Sequence, residues 1–167
     1  MTRLSHVGDD GRARMVDVSR KLPTARQARV EGHLQLSNEA FAALRQQTLA
    51  KGEPYTVAKI AGVQAAKRTA ELIPLCHPLP MEHVEITFTS DANAQAIRVI
   101  AETRATAKTG VEMEAFTAAA AALLSLYDMI KAVDPSATIT GLRLLEKTGG
   151  THGFHRDTPE DACARPS

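Results

Sequence analysis

The stretch HVEITFTSDANAQAIRVIAETRATA, residues 83–107, decides the fold. Val84, Ile86 and Phe88 alternate with Glu85, Thr87 and Thr89, the two-residue period of a strand with one buried face. Asp91-Ala92-Asn93-Ala94 is a turn sequence, because Asp and Asn side chains bond their own backbone. Residues 95–107 supply a longer partner strand. Together they predict an antiparallel hairpin.

The flanking segments build on that hairpin. Upstream, residues 28–36 alternate Ala28, Val30, Leu34 and Leu36 with Arg29, Glu31, His33 and Gln35, and predict another half-buried strand. Ser37-Asn38 caps a helix through about Ala50, with Phe41, Leu44 and Thr48 on one stripe. Gly52 and Pro54 break it. A second helix is expected from Val57 to Leu72, with Val57, Ala61, Ala65 and Leu72 on one face, stopped by Pro74. Downstream, Met113, Phe116, Ala120, Leu123, Tyr127 and Ile130 recur at helical spacing within a helix from about Glu112 to Val133. The alanines at 118–122 permit close approach of another element, and Asp134-Pro135 ends the helix. Residues 138–146 make a last strand.

This order predicts an α+β fold: a ferredoxin-like two-layer sandwich, antiparallel sheet with helices on one face, in βαββαβ order. Residues 1–150 are expected to form a single catalytic domain with an irregular N-terminal segment, in which only residues 15–18 look extended. Residues 151–167 read as a polar tail, mobile beyond Gly149-Gly150. The sheet face opposite the helices would be bare. Leu142, Leu144, Ile97, Val99 and Ile100 offer apolar residues for a second subunit to cover, so an oligomer is expected.

Composition narrows the function. At 167 residues and 44% apolar content the chain can bury a core as one domain. Twenty Lys and Arg against nineteen Asp and Glu leave a net charge of +1, which argues against a general nucleic-acid binder but permits a local basic pocket. Cys76 and Cys163 make no disulfide scaffold. No stretch reads as a signal peptide or a membrane span, so a cytoplasmic protein without membrane or nucleic-acid partners is expected.

The chemistry concentrates in a few places. Ile73-Pro74-Leu75-Cys76-His77-Pro78-Leu79-Pro80 is a loop stiffened by three prolines, suited to a preformed binding surface. His77 either contacts a substrate heteroatom or phosphate, or simply bonds its own loop. Cys76 suits packing better than nucleophilic attack. Lys51, before Gly52, either meets a phosphate or favours a helix dipole. Glu112 and Glu114, at a helix start, either hold ligand N–H groups or answer the dipole. Lys108-Thr109-Gly110 lacks the spacing of a P-loop. Asp128 and Lys131 share a helical face, as a surface ion pair or as a partly desolvated proton donor and acceptor. Lys147 is either a lid cation or a strand-end lysine. Glu114 and Asp128 lie roughly 21 Å apart along one helix. If both line one site, a neighbouring subunit supplies one of them.

Five segments carry a resemblance: MVDVSRK (15–21), KIAGVQAAKRTAELIPLCHPLP (59–80), AKTGVEMEAFTA (107–118), LYDMIKAV (126–133) and LLEKTGG (144–150). In these the chain resembles the cyclic pyranopterin monophosphate synthases, protein C of molybdenum cofactor biosynthesis. The resemblance implies a ferredoxin-like hexamer built from dimers, with the active site at a dimer interface. It implies a phosphorus–oxygen lyase that converts 3′,8-cyclo-7,8-dihydroguanosine 5′-triphosphate to cyclic pyranopterin monophosphate and pyrophosphate. By position it makes Asp128 the active-site aspartate and Lys131 a further polar pocket position; their shared helical face makes the two the expected catalytic pair. Leu75, Cys76, His77, Met113 and Glu114 become substrate-binding residues. Asp17, Lys21, Arg26, Lys51, Glu112 and Lys147 become further polar pocket positions. No protein-bound cofactor or metal is expected, with magnesium accompanying the triphosphate. His152, His155 and Cys163 receive no role.

Overall fold

In the twelve-residue strand β1 (Thr24–Gln35), Ala28, Val30 and Leu34 are fully buried and define its inner face. The computed structural model describes residues 11–46 and 53–156. After β1 come α1 (Asn38–Arg45), α2 (Pro54–Lys67), the short α3 (Thr69–Leu72), β2 (His83–Asp91), β3 (Ala96–Ala107), α4 (Glu112–Ile130), β4 (Thr138–Thr148) and β5 (Phe154–His155). The strands form one antiparallel sheet in the order β2-β3-β1-β4-β5. Helices pack on it, as expected of an α+β chain. The element order departs from simple βαββαβ in two respects. Three helices rather than one fill the first crossover, and β5 adds an edge strand within the segment read as a tail.

The hairpin forms as its sequence dictates. Val84 pairs with Thr103, Phe88 with Val99 and Asp91 with Ala96. The Asp91 carboxylate accepts from the N–H groups of Asn93 and Ala94 at 2.9 and 3.0 Å, closing the turn, and Gln95 takes a φ of 52° to complete it.

α1 ends at Arg45 with Gln46 as its C-cap, short of the expected Ala50, and Thr48 lies outside the described residues. The other helices form close to where they are expected, but their buried faces differ. In α2 the buried residues are Pro54, Ala58, Gly62 and Ala66, while Val57 and, beyond it, Leu72 are exposed. In α4 the expected Leu123 and Ile130 are fully buried and Phe116 and Tyr127 pack on the core, but Met113 is exposed and the buried side widens to Ala115, Ala118, Ala119, Ala122 and Leu126. The period holds in both helices; the phase is off in α2, and in α4 the stripe is wider than expected and excludes Met113. The reason is a close helix crossing, in which the smallest residues occupy the contact. A Cβ on Gly62 would lie 2.8 Å from the Ala118 carbonyl oxygen, too near for any larger residue. The second helix also starts earlier than expected, because Pro54 serves as a first-turn residue behind the Glu53 cap. It breaks at Arg68, where φ and ψ are −111° and 14°.

The expected apolar outer sheet face is corrected in part. Ile97 and Val99 are fully buried on the inner side, and Leu144 packs on the core, whereas Ile100 lies opposite Glu31 on the outer face and Leu142 is exposed. That outer face also carries charges. Glu31 accepts from Arg98 Nε at 2.7 Å and Arg143 Nε at 2.6 Å. Burial works against the ionised Glu31, but the hydrogen bonds from Arg143 and Arg98 outweigh it and hold the carboxyl below its usual range. Arg29 adds longer pairs to Glu102 and Glu146. Among the described residues α4 alone is long and apolar enough to cross a membrane, and half of that span is buried inside the fold.

Candidate functional site

Where β3 and β4 end and β1 and α4 begin, the chain leaves a cavity of about 860 Å³. Its walls come from six places: the segment before β1, the start of β1, the Pro-rich loop after α3, the β3–α4 turn, the first turn of α4, and the end of β4 with the residues after it.

Most of the candidate residues meet here. Leu75, Cys76, His77, Glu112, Met113, Glu114, Lys21, Arg26 and Lys147 all line the cavity. The Pro-rich loop is set by α3, through Ile73 N–H to Thr69 O at 2.8 Å and Cys76 N–H to Ile73 O at 3.0 Å. Buried Thr69 anchors that turn by donating to the Ala66 carbonyl at 3.0 Å. At the head of α4 the N-cap position, Val111, gives no side-chain cap. Its carbonyl instead accepts from buried Thr103 Oγ1 at 3.0 Å, fixing the helix start to β3.

The cavity is electrostatically mixed. Lys147 Nζ donates to Glu112 Oε1 at 2.8 Å. Arg26 donates to the Ala107 and Lys108 carbonyls at 3.3 and 3.5 Å, so its guanidinium braces the β3–α4 turn. Lys108 Nζ reaches the Ser19 carbonyl at 3.0 Å and holds the N-terminal segment across the site. Gly149 and Gly150 have φ values of 85° and 75°. A side chain on Gly150 would collide with the Arg26 guanidinium.

Glu114 is only 4% exposed. Burial pushes its carboxyl up, with Glu112 adding repulsion and its own backbone N–H opposing. Burial, then the nearby Glu114, also push the Cys76 thiol up. That keeps Cys76 a thiol at neutral pH and disfavours nucleophilic attack.

Three candidates lie elsewhere. Asp17 is exposed between cavity-lining Val16 and Val18, and its carboxylate accepts from Ser19 N–H at 2.9 Å. Asp128 and Lys131 pair at 2.7 Å near the far end of α4, and both side chains are more than half exposed. The pair is therefore not partly desolvated within one chain. The Lys131 ammonium is favoured by its hydrogen bond and charge contact with Asp128, which push its pKa up. Lys51 lies outside the described residues.

Lys108, Thr109 and Gly110, which stand out in the sequence as part of an unusual stretch but receive no individual site role there, also line the cavity. His152, which receives no role from the sequence, lines it too; nothing in the polar run around it signals a site. Among the described residues no group of three or more His, Cys, Asp or Glu side chains is placed to hold a metal ion. The cavity can hold a polyanion through Lys21, Arg26, Lys108 and Lys147. Its carboxylates can accept from N–H groups of a ring.

The sequence profile described as the MoaC family matches residues 15–150. A cyclic pyranopterin monophosphate synthase of Thermomicrobium roseum is 45% identical over 162 residues, covering 97% of this chain and 98% of that protein. One from a Methylobacterium species is 46% identical over 159 residues, covering 95% and 99%. A molybdenum cofactor biosynthesis bifunctional protein of Synechococcus elongatus is 52% identical over 139 residues, covering 83% of this chain but 44% of its own length.

Proposed function

The chain belongs to the MoaC family, and from that premise we propose how its cavity works as the site of a cyclic pyranopterin monophosphate synthase. The enzyme is a lyase of molybdenum cofactor biosynthesis. It converts 3′,8-cyclo-7,8-dihydroguanosine 5′-triphosphate to cyclic pyranopterin monophosphate and pyrophosphate. The observation that carries the reading is the convergence of Leu75, Cys76, His77, Met113 and Glu114 with Lys21, Arg26 and Lys147 around one cavity.

In this reading the cations hold the triphosphate and offset charge on the departing pyrophosphate. Glu112 and Glu114 accept from the N–H groups of the guanine-derived ring, and His77 bonds a phosphate or ring heteroatom. Opening the dihydro-imidazole ring and closing the pyranopterin require proton transfers at nitrogen and oxygen, which fall to Asp128 and Lys131. A ribose oxygen then attacks the α-phosphorus, forming the cyclic phosphate as the bond to pyrophosphate breaks. Magnesium would accompany the triphosphate as charge compensation. Lys51 and Asp17 are further pocket positions in this assignment.

Asp128 and Lys131 lie outside the cavity of their own chain, and this supports a shared site. We read the enzyme as a homo-oligomer, a hexamer built from dimers, in which a second subunit's pair completes each cavity. The same reading makes residues 1–150 one catalytic domain with a ferredoxin-like sandwich, and places the enzyme in the cytoplasm with no nucleic-acid or membrane partner.

Incubation with the cyclised triphosphate, with release of pyrophosphate and formation of the cyclic phosphate followed together, tests the reading. A nucleotide-sensing domain would bind the substrate and release nothing. A purely structural oligomer would not bind it.

A further inference from the structure

We propose that His152 is a further phosphate-contacting residue of this site, and that its protonation strengthens polyanion binding at the cavity. The backbone builds the position. Beyond β4 the chain turns through Gly149 and Gly150, then returns so that Phe154 pairs with Lys147 and His155 with Glu146. The return is tied down further along. Arg156 N–H donates to the Leu145 carbonyl at 2.7 Å, and Arg156 Nε to the Leu144 carbonyl at 3.1 Å. The Arg156 guanidinium lies 5.7 Å from the Phe154 ring centre. Residues 149–153 are thus a hairpin loop fixed at both ends, and Thr151 and His152 from it line the cavity.

Charge gives His152 its use. The charged and titratable groups of the cavity are Lys21 before β1, Arg26 on β1, Lys108 in the β3–α4 turn, Lys147 on β4, Glu112 and Glu114 on α4, and Cys76 and His77 in the Pro-rich loop. Lys147 is already engaged by Glu112. Four cations face two carboxylates, a surplus smaller than the charge of an ionised triphosphate. An imidazole adds one donor when neutral, and a second donor with a full positive charge when protonated, within the range where histidine titrates.

The inference rests on the phosphate-bearing substrate of the proposed reaction, so its test uses inorganic pyrophosphate and does not depend on turnover. Calorimetric titration of the full chain compares wild type, His152→Asn, His152→Lys and His77→Asn at about pH 6 and about pH 8. Protonation of pyrophosphate itself is common to all four and drops out of their ratios. His152→Asn should weaken binding about threefold at the lower pH and leave it unchanged at the higher, the scale of an exposed charge contact. At each pH His152→Lys should bind at least as tightly as wild type, with the larger advantage at the higher pH. Equal affinities for wild type and His152→Asn at both pH values would overturn the proposal. So would an equal loss at both, which would mark a loop-holding role. A His152-dependent pyrophosphate site in a protein that fails to convert the cyclised triphosphate would keep this contact and remove the reaction. Normal turnover with an indifferent His152→Asn would do the reverse.

Discussion

At its N-terminal end α4 places Glu114 almost wholly out of solvent, against a cavity. Fourteen residues on, the same unbroken helix presents Asp128 and Lys131 to solvent as a simple i, i+3 pair. The two ends also titrate differently. Burial pushes the Glu114 carboxyl up, while Asp128 pushes the Lys131 ammonium up without any help from burial. The difference teaches that one helix serves two settings: a buried end beside a cavity and an exposed end whose pair has no enclosure in its own chain. A rigid helix cannot bring its own ends together, so on the proposed reading the two settings meet only between chains.

The largest expected effect comes from breaking the exposed pair. Asp128→Asn and Lys131→Ala should each lower the single-turnover rate about 100-fold or more, the scale of general acid–base catalysis. Each should leave substrate affinity intact and the melting temperature within about two degrees of wild type, since an exposed pair contributes little to folding. Their double variant should lose less than the product of the single losses, because both serve one step. Independent effects, or losses confined to affinity, would show that the pair is merely part of the surface.

A fourfold effect follows from mixing chains that each lack one of the two settings. Glu114→Gln and Asp128→Asn, each nearly inactive alone, should recover about a quarter of wild-type turnover after subunit exchange, if twofold dimers place one chain's cavity against its partner's pair. Half of the exchanged dimers are mixed, and each of those has one intact site of two. No recovery in a preparation shown by mass to have exchanged would mean that the two settings do not meet between chains.

Much of this was legible beforehand, and the gaps have physical causes. The hairpin, the long helix and the flanking strands are local patterns, so periodicity found them. Burial phase failed in α2 and at Met113 of α4, while Leu123 and Ile130 are buried as expected, because hydrophobicity favours Val57 and Met113 while a close crossing selects Gly62, Ala118 and Ala122. The cavity residues quoted from motifs came together, yet Lys108 and His152 received no individual role. Their position depends on which loops the sheet order brings to one end, and that is not a local property. The charged outer sheet face was misread in part, for a related reason: Ile97 and Val99 are apolar, but strand parity sends them inward.

Stability separates the ends by smaller amounts. The open end of α4 is firmly held, despite its exposed pair, by Asp134. That carboxylate accepts from Ser37 N–H at 2.7 Å, Ser136 Oγ at 2.6 Å and Ser136 N–H at 3.0 Å, tying the helix exit to the start of α1. Asp134→Ala should destabilise the chain by about 1–3 kcal/mol in urea unfolding, through the orphaned Ser37 N–H and the lost turn. The Ser136 hydroxyl, then the Ser37 backbone N–H, hold the Asp134 carboxyl below its ordinary value of 3.8. Its contribution is therefore present above the unfolded-state pKa and is lost as pH falls through the lower folded-state value. The difference between wild type and Asp134→Ala should be constant near neutrality and narrow in acid below about pH 4. An undiminished difference there would mean that hydrogen-bond geometry matters and ionisation does not.

The smallest effect belongs to the enclosed end and has the opposite sign. Burial, with Glu112 beside it, raises the Glu114 carboxyl above its ordinary value of 4.5. Between the unfolded-state and folded-state pKa values the folded chain then holds more protons than the unfolded one. Stability falls as pH rises through that window, and above it the folded protein carries a fixed penalty for a buried carboxylate. A neutral amide in place of that carboxylate carries no such penalty and keeps the shape. Glu114→Gln should therefore melt a few degrees above wild type at neutral pH, with the gap closing as pH falls through the raised folded-state value toward 4.5. Thermal unfolding across that range reads it directly. A wild type more stable than Glu114→Gln at neutral pH would mean that the assembled enzyme sets a cation against Glu114. That outcome would bring the two ends of α4 together from the side of stability, with Lys131 of a neighbouring chain as the first residue to substitute.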